Sequence, residues 1–82
     1  MTLADLKPGE SVRIEQIDTR DSAVQRLMVL GLVEGAEITF LRRSLGGDPL
    51  EFRIGGAAIS LRREQARYFT VVPVEQDERA AG

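Results

Sequence analysis

The fold of this chain is decided by residues 26–38, which read RLMVLGLVEGAEI. They predict the end of a short helix, a glycine stop at Gly31, a second glycine turn at Gly35 and the start of a strand. Gly31 occupies the position after the helix, where glycine adopts the left-handed backbone conformation without a steric penalty. This stretch contains no nucleophile, no cluster of metal ligands and no phosphate loop. It favours a binding or regulatory module over an enzyme.

The helix that ends at this stop is predicted over residues 23–30. Val24, Leu27 and Met28 follow the spacing of one helical face. The polar connection before them ends in Asp21 and Ser22, two residue types that cap helices well. Because a helix of two turns is unstable alone in water, we expect it to pack on the rest of the domain.

Five short strands are predicted around this helix, at residues 11–15, 36–43, 50–54, 57–61 and 69–74. Gln16 and Ile17 break the alternation of the first strand, which indicates a bulge or the strand's end. Gly55 and Gly56 separate the third and fourth strands and predict a hairpin turn in which both residues take positive φ. Pro73 cannot donate a ladder hydrogen bond, so it belongs at a sheet edge or at a strand end.

Residues 62–67 predict one further helical turn, with Ser60 as a candidate cap. The sum is a mainly β fold, a small and strongly bent β-barrel of about five strands with two short helices. Closure of the barrel would leave no strand edge exposed. At 82 residues the chain is a single domain, with residues 1–74 folded and residues 75–82 expected to form a flexible tail.

Composition excludes several classes of protein. The chain has no cysteine and no histidine, which excludes disulfides, thiolate metal sites and Ser-His relays. Its carboxylates are scattered, so we expect no catalytic residues, no metal site and no cofactor. The first residues lack the basic and apolar regions of a signal peptide, and no apolar run approaches the roughly 20 residues of a membrane span. The expectation is a soluble, cytoplasmic domain.

Nucleic acids and proline-rich peptides fit the composition poorly as partners. The net charge is −2, and two of the four aromatic residues, Phe40 and Phe52, fall on inward strand positions. Tyr68 and Phe69 are too few for an aromatic groove or a base-stacking platform. The charge is nevertheless uneven, because residues 42–67 hold six basic and three acidic side chains. This asymmetry fits either an oriented electrostatic surface or a solvated face.

Several apolar residues remain that the core need not bury. They lie at the end of the helix, in the turn after it, and along the second strand and its loop, beside two arginines. If these side chains are exposed together, they form a patch typical of a protein interface. The alternative is that a small curved barrel buries both faces of some strands. The candidate partner-binding residues are Val29, Leu30, Val33, Leu41, Arg42, Arg43 and Leu45.

The chain resembles the FeoA family, small cytosolic proteins that accompany the ferrous iron permease FeoB. The resemblance is carried by residues 3–10, by the helix-glycine-glycine-strand signature of residues 26–38, and by residues 47–50, 56, 59–66 and 69–71. It spans roughly residues 3–72. Glu34 and Ser44 depart from the pattern, since proline is common at both positions in the family.

The resemblance implies an SH3-like barrel and a role in ferrous iron uptake. Proteins of this family are expected to bind the cytosolic side of FeoB, whose soluble part is a G domain, and to modulate transport without catalytic activity of their own. The first hypothesis is therefore a non-enzymatic partner of a ferrous iron permease, peripheral to the membrane only through that partner. The alternative is a self-associating regulatory or metal-responsive module that forms homo-oligomers and does not act on a transporter.

Overall fold

The computed structural model describes residues 1–74, and the tail predicted at residues 75–82 lies outside them. Five antiparallel strands form one sheet in the order β4-β3-β2-β1-β5. The elements are β1 (Ser11–Ile17), α1 (Ser22–Val29), β2 (Glu37–Arg43), β3 (Leu50–Ile54), β4 (Ala57–Leu61), α2 (Arg63–Ala66) and β5 (Phe69–Pro73), with 3₁₀ turns at Leu3–Asp5 and Leu45–Gly47. The predicted mainly β fold with five strands and two short helices is confirmed.

The sheet has two edge strands, β4 and β5, and no backbone pairing joins them within residues 1–74. The expected complete closure of the barrel is therefore wrong in detail. The reason lies in β1, which pairs with both β2 and β5, so β5 extends the sheet beyond β1 and does not return to β4. Pro73 lies at the end of the edge strand β5, as predicted.

Helix α1 begins and ends as its sequence predicts. The Asp21 carboxylate accepts a hydrogen bond from the Ala23 N–H at 2.8 Å, which caps the first turn. At the other end Gly31 has a φ of +113°. The Gly31 N–H donates to the Met28 carbonyl and the Leu32 N–H donates to the Leu27 carbonyl. This is the Schellman arrangement, and it reverses the chain so that Leu32 enters the core.

Two β-bulges interrupt the strand alternation. The β1–β5 register shifts between Ile14 and Gln16, so the predicted irregularity is a bulge and β1 continues to Ile17. The β2–β3 register shifts between Phe40 and Arg42. The extra residue there is Leu41, which explains why Leu41 is out of phase with the buried Phe40. A bulge adds twist locally, and these two help the short strands to curve around one core.

The core lies on the concave side of the sheet. Phe40 and Phe52 face each other across β2 and β3, with ring centroids 5.2 Å apart and a tilt of 45°. Side chains from every part of the described chain complete the core, and the fully buried ones include Leu3, Leu6, Val12, Ile14, Val24, Leu32, Ile38, Leu50, Leu61 and Phe69. The N-terminal segment thus contributes two leucines to the core.

The β3–β4 turn and the start of α2 each differ from the sequence prediction in one detail. The predicted hairpin turn at Gly55 and Gly56 joins β3 and β4, but only Gly55 has a positive φ, at +58°. Ser60 does not cap α2, because it lies within β4 and its side chain is exposed. Instead the Gln65 side chain accepts a hydrogen bond from the Arg62 N–H at 3.0 Å.

Candidate partner-binding surface

The first group of predicted site residues surrounds the end of α1. Val29, Leu30 and Val33 have 85%, 60% and 42% of their surface exposed, and we refer to them as the helix-end cluster. The backbone between them is held from both sides. The Schellman bonds fix its start, and its end is tied to β1 by the bonds from Gly35 N–H to the Ile14 carbonyl and from Ile14 N–H to the Ala36 carbonyl. The cluster therefore presents three apolar side chains on an ordered turn.

The second group follows β2. Leu41, Arg42, Arg43 and Leu45 form what we call the hairpin-loop cluster. Leu45 is fully exposed at the tip of the β2–β3 loop, whereas Leu41 is half-buried at its bulge. The cluster is more polar than the first, and it contains one large apolar side chain that is freely exposed.

Both arginines of this second cluster have partners within the protein. The Arg42 guanidinium lies 3.4 Å from the Glu51 carboxylate, its cross-strand neighbour. The Arg43 guanidinium stacks over the Phe40 ring at 5.3 Å from the centroid, a cation–π contact at the end of the core. The Glu51 carboxylate thus offsets the positive charge of Arg42. The partner of Arg43 is an aromatic ring, which carries no net charge to offset that of the guanidinium.

The two clusters lie at opposite ends of the β2–β3 hairpin. A methyl group placed on Gly31 would lie 3.7 Å from Ile54 Cδ1, so the helix-end cluster lies beside the end of β3. Ile54 pairs with Ile38 there, whereas Arg43 pairs with Leu50 at the other end. Strand β3 is five residues long from one end to the other, which is a distance of about 15 Å. The structure thus brings Val29, Leu30 and Val33 together by one end of the hairpin and places the remaining four predicted residues at the other.

A polar depression that sequence reasoning missed lies between the β1–α1 loop and the start of β5. Two adjoining hollows of about 350 Å³ and 320 Å³ share Asp18 and Tyr68 as lining residues. Arg20 donates to both Asp18 carboxylate oxygens, at 2.9 Å and 2.6 Å. These hydrogen bonds lower the pKa of Asp18 to about 2. Asp18 therefore stays ionised and paired at neutral pH, which makes it a poor proton donor or acceptor.

The described part of the chain offers no other obvious site for chemistry. Among residues 1–74, no three acidic side chains come together as metal ligands would. No buried side-chain nitrogen or oxygen in this range lacks a hydrogen-bond partner, so no polar group awaits a ligand inside the core. None of the described helices is long and apolar enough to cross a membrane.

The fold and the surface together define a class. One antiparallel sheet of five short strands, with a helix after β1 and a single helical turn between β4 and β5, is a small SH3-like domain. The family model of the FeoA domain matches residues 1–73, and the chain belongs to that family. The resemblance stated from sequence is thereby confirmed.

Known relatives support the assignment. The chain is 33% identical over 66 residues to the Fe(2+) transport protein A/Fe(2+) transporter FeoB fusion protein of Porphyromonas gingivalis, an alignment that covers 80% of this chain and 8% of that protein. The chain therefore spans a small fraction of the curated relative it matches. The FeoA protein of Chlorobium tepidum superposes with a TM-score of 0.84 at 35% identity, covering 92% of this chain and 71% of that one.

A third relative carries a metal. The structure of Stenotrophomonas maltophilia FeoA complexed with zinc, described as a prokaryotic SH3 domain protein, superposes with a TM-score of 0.77 at 30% identity. The match covers 88% of this chain and 89% of that one. The SH3-like fold implied by the sequence resemblance is thus confirmed by solved structures.

Proposed function

We propose that this protein is a non-enzymatic accessory of ferrous iron uptake that binds the cytosolic part of a FeoB-type permease. The observation that carries the proposal is the Porphyromonas gingivalis relative, in which an FeoA part and an FeoB transporter are one fusion protein. Covalent fusion keeps two parts together permanently, which is useful where they act together. In this chain the same association would be non-covalent, and it would hold the protein in the cytoplasm at the membrane surface.

The helix-end cluster is the contact we assign to the permease. Interfaces gain most of their energy from a few side chains that become fully desolvated on binding. Val29 and Leu30 are largely exposed and adjacent in the chain, and the Schellman turn fixes the backbone that carries them. An ordered turn loses little conformational entropy on binding. The hairpin-loop cluster has one such side chain, Leu45.

Arg43 is the better candidate for electrostatic steering. Arg42 is paired with Glu51, whereas Arg43 is held over an aromatic ring and keeps its positive charge. Charges at the rim of an interface change the association rate and its salt dependence more than the final affinity. We therefore assign Arg43, which lies about 15 Å from the helix end along β2, to the initial encounter with an acidic surface of the permease. The helix-end cluster is assigned to the contact that holds the complex together.

The test is a binding titration against the separately expressed cytosolic domain of the permease from the same organism. Leu30→Glu should weaken binding by about tenfold or more, as loss of a central apolar contact does. Leu45→Glu is the matched control, since it makes the same change at another exposed leucine, in the hairpin-loop cluster. Both side chains are exposed, so both variants should unfold at the wild-type temperature.

The outcomes separate the site from the function. Loss of binding in Leu45→Glu alone would move the contact to the hairpin-loop cluster. Equal affinity for wild type and both variants would reject both surfaces while leaving the association in place. Absence of binding by the wild type at low and moderate salt would reject the permease as a partner and favour the self-associating or metal-responsive alternative.

A further inference from the structure

The two edge strands of the sheet, β4 and β5, differ in whether their outward-facing backbone groups are covered. On β5, Val71 and Pro73 face away from β1, because Val72 and Val74 face β1. Val71 N–H donates to the Met1 carbonyl at 2.9 Å, and Thr2 forms a bridge with Thr70. Proline has no N–H to offer. The N-terminal segment and one proline therefore cover the β5 edge, as natural sheets commonly require.

The β4 edge has no such cover. The two-residue turn makes Ile54 and Ala57 a hydrogen-bonded pair. Pairing then alternates along the hairpin, so the N–H and C=O groups of Ala58 and Ser60 point away from β3. Within residues 1–74, neither residue's backbone groups have a hydrogen-bond partner on that side. The strand contains no charge and no proline, which are two of the devices that block sheet edges in natural proteins.

We propose that the β4 edge pairs, antiparallel, with the β4 edge of a second copy of this chain, with Ile59 on the two-fold axis. In this register Ala58 of one copy lies opposite Ser60 of the other, and the reverse pair is generated by symmetry. Both are hydrogen-bonded pairs, so the contact forms four backbone hydrogen bonds and joins the two sheets into one. The interaction is of the isologous type that closes a dimer.

The outward-facing residues themselves select this register. With Ile59 on the axis, Ala58 and Ser60 of each copy both lie in hydrogen-bonded pairs within the two strands. Moving the axis to Ala58 places Ser60 opposite Gly56 in the turn, and moving it to Ser60 places Ala58 opposite Arg62, beyond the end of β4. Only the proposed register pairs both outward-facing residues of each strand with strand residues of the other copy.

The inner face agrees with the same register. Ile59 is half-buried against the core and pairs with the fully buried Phe52. With Ile59 on the axis, the two isoleucines form a non-hydrogen-bonded pair, whose side chains approach closely. The apolar row of each copy then continues into the other. Further out, Arg62 lies opposite Gly56 of the second copy, where no side chain obstructs it.

The first test is the mass of the protein in solution as a function of concentration. Sedimentation of the full chain up to about 1 mM should show a monomer–dimer equilibrium. Ser60→Pro removes an outward N–H without touching the β3 ladder and should weaken the dimer about tenfold, since two symmetric hydrogen bonds are lost. Ser60→Ala keeps the N–H and should behave as wild type. A wild type that remains monomeric throughout would overturn the proposal.

The second test probes the register by cross-linking, which the absence of native cysteine makes specific. A mixture of Ala58→Cys and Ser60→Cys proteins of different mass should form the mixed disulfide faster than either homodimer, because only residues 58 and 60 lie opposite each other. Both positions are exposed, so both variants should fold. Equal rates for mixed and like pairs would indicate random collision and contradict the proposed pairing.

Discussion

Strands β4 and β5 are both five residues long and both lie at an edge of the same sheet, yet within residues 1–74 only β5 is covered. Its cover has two sources, a residue within the strand, Pro73, and a segment almost seventy residues away in sequence, Met1 and Thr2. Strand β4 has neither. The difference shows that edge protection in this protein is encoded strand by strand and is not a consequence of the sheet's topology.

The cover of β5 is itself part of the core. Leu3 is the first residue of the 3₁₀ turn that follows Thr2, Leu6 comes directly after that turn, and both are buried. The helical turn α2 packs against the same 3₁₀ turn. The N-terminal segment therefore joins hydrophobic burial to edge protection.

The largest expected effect comes from a substitution that uncovers the edge strand β5. Leu3→Ala should lower the free energy of unfolding by about 2–4 kcal/mol, because it removes a buried side chain and leaves a cavity. It should also release Met1 and Thr2 from β5 and so raise the tendency to aggregate. Urea unfolding and light scattering measure the two effects. Leu45→Ala is the control at an exposed leucine, with an expected change within about 0.5 kcal/mol.

Equal stability of Leu3→Ala and Leu45→Ala would mean that the N-terminal segment does not depend on its buried leucine. A destabilised Leu3→Ala that stays fully soluble at high concentration would instead show that β5 needs no cover.

A smaller effect is expected at Thr2, in the segment that covers β5. The Thr2 hydroxyl accepts a hydrogen bond from the Ala4 N–H at 3.2 Å and caps the 3₁₀ turn. Thr2→Ala should cost about 0.5–1 kcal/mol of stability, whereas Thr2→Ser retains the acceptor and should cost less. Amide hydrogen exchange at Val71, whose N–H bonds to Met1, is the sharper measurement. Unchanged exchange at Val71 in Thr2→Ala would mean that the Thr2 cap does not affect the pairing of Met1 with β5.

Pro73→Ala should have a smaller effect still on stability, about 0.5 kcal/mol, through the greater freedom of the unfolded chain. Pro8→Ala is the matched control, since it removes another exposed proline that lies outside the sheet. Only Pro73→Ala adds a free N–H to β5. If that donor matters, Pro73→Ala will self-associate more than Pro8→Ala in sedimentation at equal concentration, and identical behaviour would leave Met1 and Thr2 as the whole cover.

Much of this fold could be predicted from sequence because the deciding signals are local. Apolar alternation gave the strands, and Asp21 and Gly31 gave both ends of α1 to within a residue. The bulge near Gln16 was visible as a break in phase. Each of these depends on residues within one or two turns of each other, where backbone geometry leaves few alternatives.

The features that sequence could not supply are those that depend on register and strand order. The sequence left open whether the candidate residues form one patch. In the structure Gly31 packs beside Ile54, and the hairpin-loop cluster lies at the far end of the same strands. No local pattern records which end of a hairpin a distant helix approaches. The incomplete closure of the sheet was missed for the same reason, since it depends on β5 pairing with β1.

The smallest expected effect concerns the ion pair beside the start of β5. Asp18 N–H donates to the Tyr68 carbonyl at 2.9 Å, and the Arg20 hydrogen bonds lower the pKa of the Asp18 carboxyl from 3.8 to about 2. Because the folded pKa is the lower one, the unfolded chain binds more protons in this range. The contribution is fully present above about pH 4 and is lost as the pH falls through about 2.

This contribution is small because both side chains are solvated, and exposed ion pairs add little to stability. Asp18→Asn should therefore be slightly less stable than wild type at about pH 5, and the difference should vanish as the pH approaches 2. Arg20→Gln should show the same pH dependence, since it removes the cause of the shift. A stability difference that is constant across this range would mean that Asp18 supports the loop through its backbone bond to Tyr68 and not through its charge.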